Sequence, residues 1–220
     1  YNEDGSVYKE LTYANGVLNG RETKWVVSEA DSLGKEYEKF WKDGELNGPS
    51  TSWVDGYRSK MITYKGETST GKEIASGPWV NWYPESNQIK EQGFHKNNIR
   101  DGLTTFYYEN GEKEKEGTLR DGNAHDKWIF YNEKGKKTQE GSFNEGLKNG
   151  KWIAYFEDGK LTEGEYKDGK KDGTWTSWWD YDKTRKEMQG SYKSGKMVDK
   201  WYFYNNKGNL KEIRYFSPVF

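Results

Sequence analysis

The chain has 220 residues, with 35 Lys and Arg against 36 Asp and Glu and a net charge of -1. These charges are interleaved, which excludes the basic field that nucleic acid or an anionic membrane surface would need. The absence of cysteine excludes disulfides, thiolate metal sites and a Cys nucleophile. Aromatic residues reach 17%, with 11 Trp and 17 Tyr, so the chain departs from the aromatic-poor disordered class although 32% of it is charged.

In chain order, residues 1–19 read as a partial N-terminal repeat, in which Tyr13 is followed by an Asn15-Gly16 turn signal. The chain starts at Tyr1, partway through a repeat and without Met, and so reads as trimmed or as a mature form. Residues 20–101 read as looser, longer repeats. The segment from Lys65 to Ser76, rich in Gly, Ser and Thr, reads as an insertion between them. Residues 102–207 are regular repeats, and 208–220 form a last strand and C-terminal cap, with Pro218 ending the strand.

The clearest copy is Gly150-Lys151-Trp152-Ile153-Ala154-Tyr155-Phe156, and three columns follow from sliding it along the chain. The first reads Trp79, Trp128, Trp152, Trp175 and Trp201, with Glu22, Ser50 and Thr104 in copies that lack the ring. The second is aromatic in every copy: Trp25, Trp53, Trp82, Tyr107, Tyr131, Tyr155, Trp178 and Tyr204. A third, near the end of each repeat, reads Tyr13, Trp41, Tyr64, Phe94, Leu119, Phe143, Tyr166, Tyr192 and Tyr215. A fixed period of about two dozen residues is the mark of a repeat array, here of about eight to nine copies.

Each repeat carries two turn signals. One follows the aromatic pair, as in Asn110-Gly111 and Asp158-Gly159. The other follows the third column, as in Asp43-Gly44, Asp121-Gly122 and Asp168-Gly169. Asn-Gly and Asp-Gly supply the positive φ angles of a two-residue hairpin turn, and their flanks are strand formers. Each repeat is therefore a hairpin, and no segment shows a sustained helical period.

The run Glu163-Gly164-Glu165-Tyr166-Lys167-Asp168-Gly169-Lys170-Lys171-Asp172-Gly173-Thr174-Trp175, with similar strings from Gly141 to Trp152 and Gly190 to Trp201, resembles MORN repeats, in particular the bacterial variant grouped as antitoxin-like. The resemblance covers nearly the whole chain and is strongest from about residue 100 onward. It implies an all-β fold of tandem antiparallel hairpins forming one elongated, curved sheet, and a scaffold or targeting role. Asp126 and Asp199 depart from the pattern by standing where an opening Gly is expected. Asp tolerates a left-handed backbone, so the turn is expected to survive there.

Alternation along a strand puts Trp152, Ala154 and Phe156 on one face and Ile153 and Tyr155 on the other. One aromatic row is expected to pack and the other to be partly exposed. Gly117, Gly141, Gly164 and Gly190 are read as making room for a ring that crosses the backbone. The second column is the candidate partner-binding stripe, at Trp82, Tyr107, Tyr131, Tyr155, Trp178 and Tyr204. Tyr215, Phe216 and Phe220 are a candidate docking or cap end, with an end-to-end or edge dimer as one use of it.

His95 and His125 lie near turns among Lys, Asn and Asp, and read as solvated loop histidines. No catalytic, cofactor-binding or metal site is expected, and no cofactor. The expected function is a non-enzymatic protein-binding scaffold, placed in the bacterial envelope or outside the cell in preference to the cytoplasm. A carbohydrate-binding repeat protein is the alternative, and an antitoxin-like partner of a toxin the third. A membrane-lipid role draws little support from the charge balance.

Overall fold

A computed structural model describes residues 8–27, 33–67 and 71–217. Eighteen strands and no helix occur among them, and the all-β class of tandem antiparallel hairpins is the one the chain adopts. Contacts group into two compact units, Tyr1–Glu112 and Lys113–Phe220.

The N-terminal unit holds β1 (Lys9–Ala14), β2 (Val17–Val27), β3 (Leu33–Lys42), β4 (Glu45–Val54) and β5 (Tyr57–Glu67). It continues with β6 (Glu73–Trp82), β7 (Ile89–Lys96), β8 (Ile99–Arg100) and β9 (Gly102–Tyr107). The C-terminal unit begins with β10 (Lys113–Arg120), β11 (Asn123–Tyr131), β12 (Lys137–Asn144), β13 (Leu147–Tyr155) and β14 (Leu161–Lys167). It ends with β15 (Lys170–Trp178), β16 (Lys186–Lys193), β17 (Lys196–Tyr204) and β18 (Leu210–Phe216). In the C-terminal unit each strand pairs antiparallel with the next in the chain. Much of the segment from Lys65 to Ser76, expected to be a loose insertion, is strand: its first residues complete β5 and its last begin β6, while residues 68–70 lie outside the described residues.

The two turn signals have different geometries. Asp43-Gly44, Asp121-Gly122 and Asp168-Gly169 have positive φ at both positions, 53° and 86°, 48° and 82°, 49° and 78°. These are the two-residue turns whose twist matches the flanking strands. At Asn110-Gly111 and Asp158-Gly159 only the glycine is left-handed, with φ of 90° and 88°. The expectation of a two-residue turn is corrected there. Phe156 N–H donates to Lys160 O at 2.9 Å and Gly159 N–H to Phe156 O at 3.1 Å, closing a longer loop that ends on a left-handed Gly.

The glycine that opens each repeat is the left-handed residue of a β-bulge. Gly150 has φ 71° and the β12/β13 register slips beside it, between Gly141 and Ser142. Asp126 and Asp199 take the same conformation, with φ of 56° and 57°, as expected of Asp in the left-handed region.

The first column is the core. Trp79, Trp128, Trp152, Trp175 and Trp201 are all buried, whereas every ring of the second column is half-buried. Trp128 and Trp152 pair directly across from Gly117 and Gly141 on β10 and β12, and Gly164 on β14 and Gly190 on β16 lie in the same close contact with Trp175 and Trp201. A Cβ at Gly117, Gly141, Gly164 or Gly190 would lie only 2.3, 2.3, 2.2 or 2.1 Å from the indole Cδ2 of its Trp. The indole N–H then donates to the carbonyl that follows the glycine: Thr118 at 3.1 Å, Ser142 at 2.9 Å, Ser191 at 3.1 Å, and Glu165 at 3.0 Å. One contact thus buries the ring and satisfies its only donor.

Candidate functional site

The bulges and the alternation of the strands give the C-terminal unit two chemically distinct faces. On the tyrosine face, second-column hydroxyls bond to carboxylates fifteen residues upstream. Tyr131 donates to Glu116 at 2.9 Å, and Tyr155 donates to Glu140 at 2.7 Å. Each of these carboxylates is also bound by lysine. Lys113 reaches Glu116 at 2.7 Å, and Lys127 and Lys137 reach Glu140 at 3.0 and 3.2 Å. Glu163, in the equivalent place, takes Lys151 at 3.0 Å and Lys183 at 2.8 Å.

Burial pulls Glu140 upward, but the hydrogen bonds from Tyr155, Lys127 and Lys137 outweigh it and hold the carboxyl at a pKa of about 2. Burial first, and then the bond to Glu140, push Tyr155 up to about 12. Tyr131 is raised to about 12 in the same way, with Glu116 as its partner. The candidate stripe is therefore a hydrogen-bonded network at Tyr131 and Tyr155. Trp178 has an indole N–H with no acceptor among the described residues, and Tyr204 is half-buried in the same column.

The two remaining stripe residues belong to the N-terminal unit. Tyr107 accepts a hydrogen bond from Gln92 Nε2 at 2.8 Å, again fifteen residues upstream, and the Arg58 guanidinium lies 5.9 Å from the Trp82 ring. In this unit Glu22 fills a first-column position and is 4% exposed. It receives Lys9 at 2.7 Å, the Tyr37 hydroxyl at 2.8 Å and the Trp41 indole at 2.6 Å. Burial raises the Glu22 pKa, but these donors prevail and lower it, while the bond to Glu22 raises Lys9.

On the tryptophan face, first and third columns interlock edge to face. From Phe143 through Trp152, Tyr166, Trp175 and Tyr192 to Trp201, successive ring centroids lie 5.1 to 5.9 Å apart at interplanar angles of 74° to 90°. Phe216 continues this row, 6.4 Å from Trp201. Tyr215 instead is 72% exposed, with Lys200 Nζ 5.6 Å from its ring. Phe220, the third residue of the candidate C-terminal end, lies outside the described residues.

Lysines stand over this row. Lys148 Nζ is 3.8 Å from the Trp152 centroid and 5.2 Å from Tyr166, and Lys171 Nζ is 4.0 Å from Trp175 and 5.0 Å from Tyr192. With Gln139, Thr162 and Met188 they line an open groove of about 550 Å³ along Trp152, Tyr166 and Trp175. Burial lowers the pKa of both lysines, and Lys171 lowers that of Lys148 further. Sequence reasoning passed over these lysines. Their signal was a shared place, second after the turn glycine and four residues before the buried Trp: Gly146-Leu147-Lys148 and Gly169-Lys170-Lys171.

Neither histidine is a solvated loop residue. Both are half-buried in strands, His95 on β7 and His125 on β11. The His95 ring centroid lies 5.7 Å from that of Trp79, and burial lowers its pKa. His125 Nε2 lies 3.0 Å from Arg120 Nη1, which can only donate, so Nε2 is the acceptor in this contact. Among the described residues no group of three or more His, Asp or Glu converges as a metal site. No protein-family model and no curated protein matches this chain.

Proposed function

We propose that the chain is a non-enzymatic, MORN-type repeat scaffold that binds another protein on the tryptophan face of its C-terminal unit. The observation that carries this reading is the groove along Trp152, Tyr166 and Trp175, an aromatic floor with a rim of polar and cationic side chains. That combination is the composition of a protein-binding surface. The tyrosine face supports the role less well, because Tyr131 and Tyr155 already spend their hydroxyls on Glu116 and Glu140.

A glycan is the second reading, and ring accessibility weighs against it. Sugar stacking needs a free ring face, yet Trp152 lies on Gly141, carries Lys148 over it and is 2% exposed. Site-specific photo-crosslinking in the source cells tests the assignment. A photoreactive residue at Ala154 or Thr162, on the tryptophan face, is expected to capture one recurrent protein that the same residue at Ile129, across from Glu116 and Glu140, does not. Adducts with polysaccharide, or no adduct from either face, would remove the protein-scaffold reading.

A further inference from the structure

Five lysines of the tyrosine face are neutralised in place: Lys127 and Lys137 by Glu140, Lys151 and Lys183 by Glu163, Lys113 by Glu116. Lys186, beside Trp178, donates instead to Gln189 Oε1 at 2.9 Å. Lys148 and Lys171 have no carboxylate within 4.0 Å among the described residues. Lys148 donates only to Gln139 Oε1, at 3.0 Å, and Lys171 is held only over rings. Ammonium groups drawn partly out of water and left without a counter-charge carry an unfavourable desolvation that a carboxylate would relieve.

The spacing of the pair constrains what brings the carboxylates. Lys148 and Lys171 occupy equivalent places on β13 and β15, with β14 between them. Two strand spacings and the stagger between repeats separate them by roughly 10 to 12 Å. A polyproline II segment repeats the same side chain about every 9 Å, three residues on, and the reach of a glutamate covers the remainder. Its backbone is fully solvated and needs no strand edge. That suits the face of a sheet, where an extended β-strand would find no ladder to join. Half-buried Tyr166, on β14 between the lysines, offers the aromatic wall on which proline rings pack.

We infer that the groove on the tryptophan face binds an acidic polyproline II segment of a partner protein, with carboxylates three residues apart on Lys148 and Lys171. This rests on the scaffold reading above and names its occupant. Titration of a fluorescent Glu-Pro-Pro repeat peptide into the full chain tests it. Binding is expected to weaken by about tenfold in the Lys148→Gln/Lys171→Gln variant, as loss of two charge-assisted contacts implies. It is expected to be unchanged in Lys127→Gln/Lys151→Gln, whose lysines serve the opposite face. Circular dichroism melts confirm that both variants are folded.

Equal binding of a Gln-Pro-Pro peptide, or undiminished binding by the Lys148/Lys171 variant, would overturn the acidic occupant. Equal binding of a Glu-bearing Gly-Ser peptide would overturn the polyproline II conformation. A sulfated oligosaccharide that binds through the same lysines when the peptide does not would replace the peptide with a glycan. If the Lys148/Lys171 variant still crosslinks the same cellular protein from Ala154, the scaffold reading stands and this inference falls.

Discussion

Trp152 lies directly across the β12/β13 hairpin from Gly141, so close that a Cβ there would be 2.3 Å from indole Cδ2. The glycine is required by contact, since its own φ is not positive. The pair recurs as Gly117 with Trp128, Gly164 with Trp175 and Gly190 with Trp201. It is the unit from which the tryptophan face is built.

Gly141→Ala is expected to destabilise the chain by about 2 to 3 kcal/mol, because the methyl meets a rigid ring held by its hydrogen bond to Ser142 O. Urea denaturation followed by tryptophan fluorescence measures it. A loss below about 0.5 kcal/mol would mean that the indole moves aside at little cost.

Opening glycines differ in what they tolerate. Gly150→Asn is expected to cost no more than about 1 kcal/mol, since Asp126 and Asp199 already hold the same left-handed conformation. Gly77 has φ 126°, outside the region open to Asn, and a Cβ there would also meet Thr63 Cγ2 at 3.0 Å. Gly77→Asn should cost about 2 to 3 kcal/mol. Equal melting temperatures for the two variants would contradict this.

Glu22 stands where other repeats bury a Trp, and three donors converge on it. Glu22→Ala leaves the Tyr37 hydroxyl and Trp41 indole without that acceptor and is expected to destabilise the fold by about 2 to 3 kcal/mol. Glu22→Gln should lose less, because an amide oxygen still accepts. Thermal denaturation of the three proteins ranks them, and an inverted order would refute the account.

The Tyr155–Glu140 pair predicts opposite pH limits. The Glu140 pKa is depressed to about 2, so its contribution is complete above the ordinary carboxyl range near 4.5 and is lost as pH falls toward 2. Tyr155 is raised to about 12, so its contribution is complete below 10 and is lost as pH rises toward 12. Glu140→Gln should flatten the acid limb of the stability profile. Tyr155→Phe should advance the tyrosinate absorbance titration by removing one late-ionising phenol. If acid unfolding of Glu140→Gln matches that of the parent chain, the network adds nothing to acid stability.

Much of this architecture was legible in the residues. Asp168-Gly169 and its counterparts specify primed turns because Asp, Asn and Gly enter positive φ cheaply, and that chemistry is local. Asn110-Gly111 looked identical but forms a longer loop, since its geometry depends on the register of the strands it joins. His95 was misplaced for a related reason: the polar residues around it suggest a turn, yet β7 carries it against Trp79.

Sequence by itself determined the repeat period, the turn positions and the glycine and aromatic columns, because each is written in local spacing and backbone preference. It left open which aromatic row is core, since alternation places rings on both faces and hydrophobicity ranks them alike. Only the tertiary structure decided that, by setting Gly141 across from Trp152 and Glu140 beside Tyr155. The pairing of lysines was likewise undecided until strands met: Lys151 finds Glu163, while Lys148, three residues earlier, points to rings and to no acid. Ion pairing depends on neighbours across the sheet, and those neighbours are fixed by register, which no single strand contains.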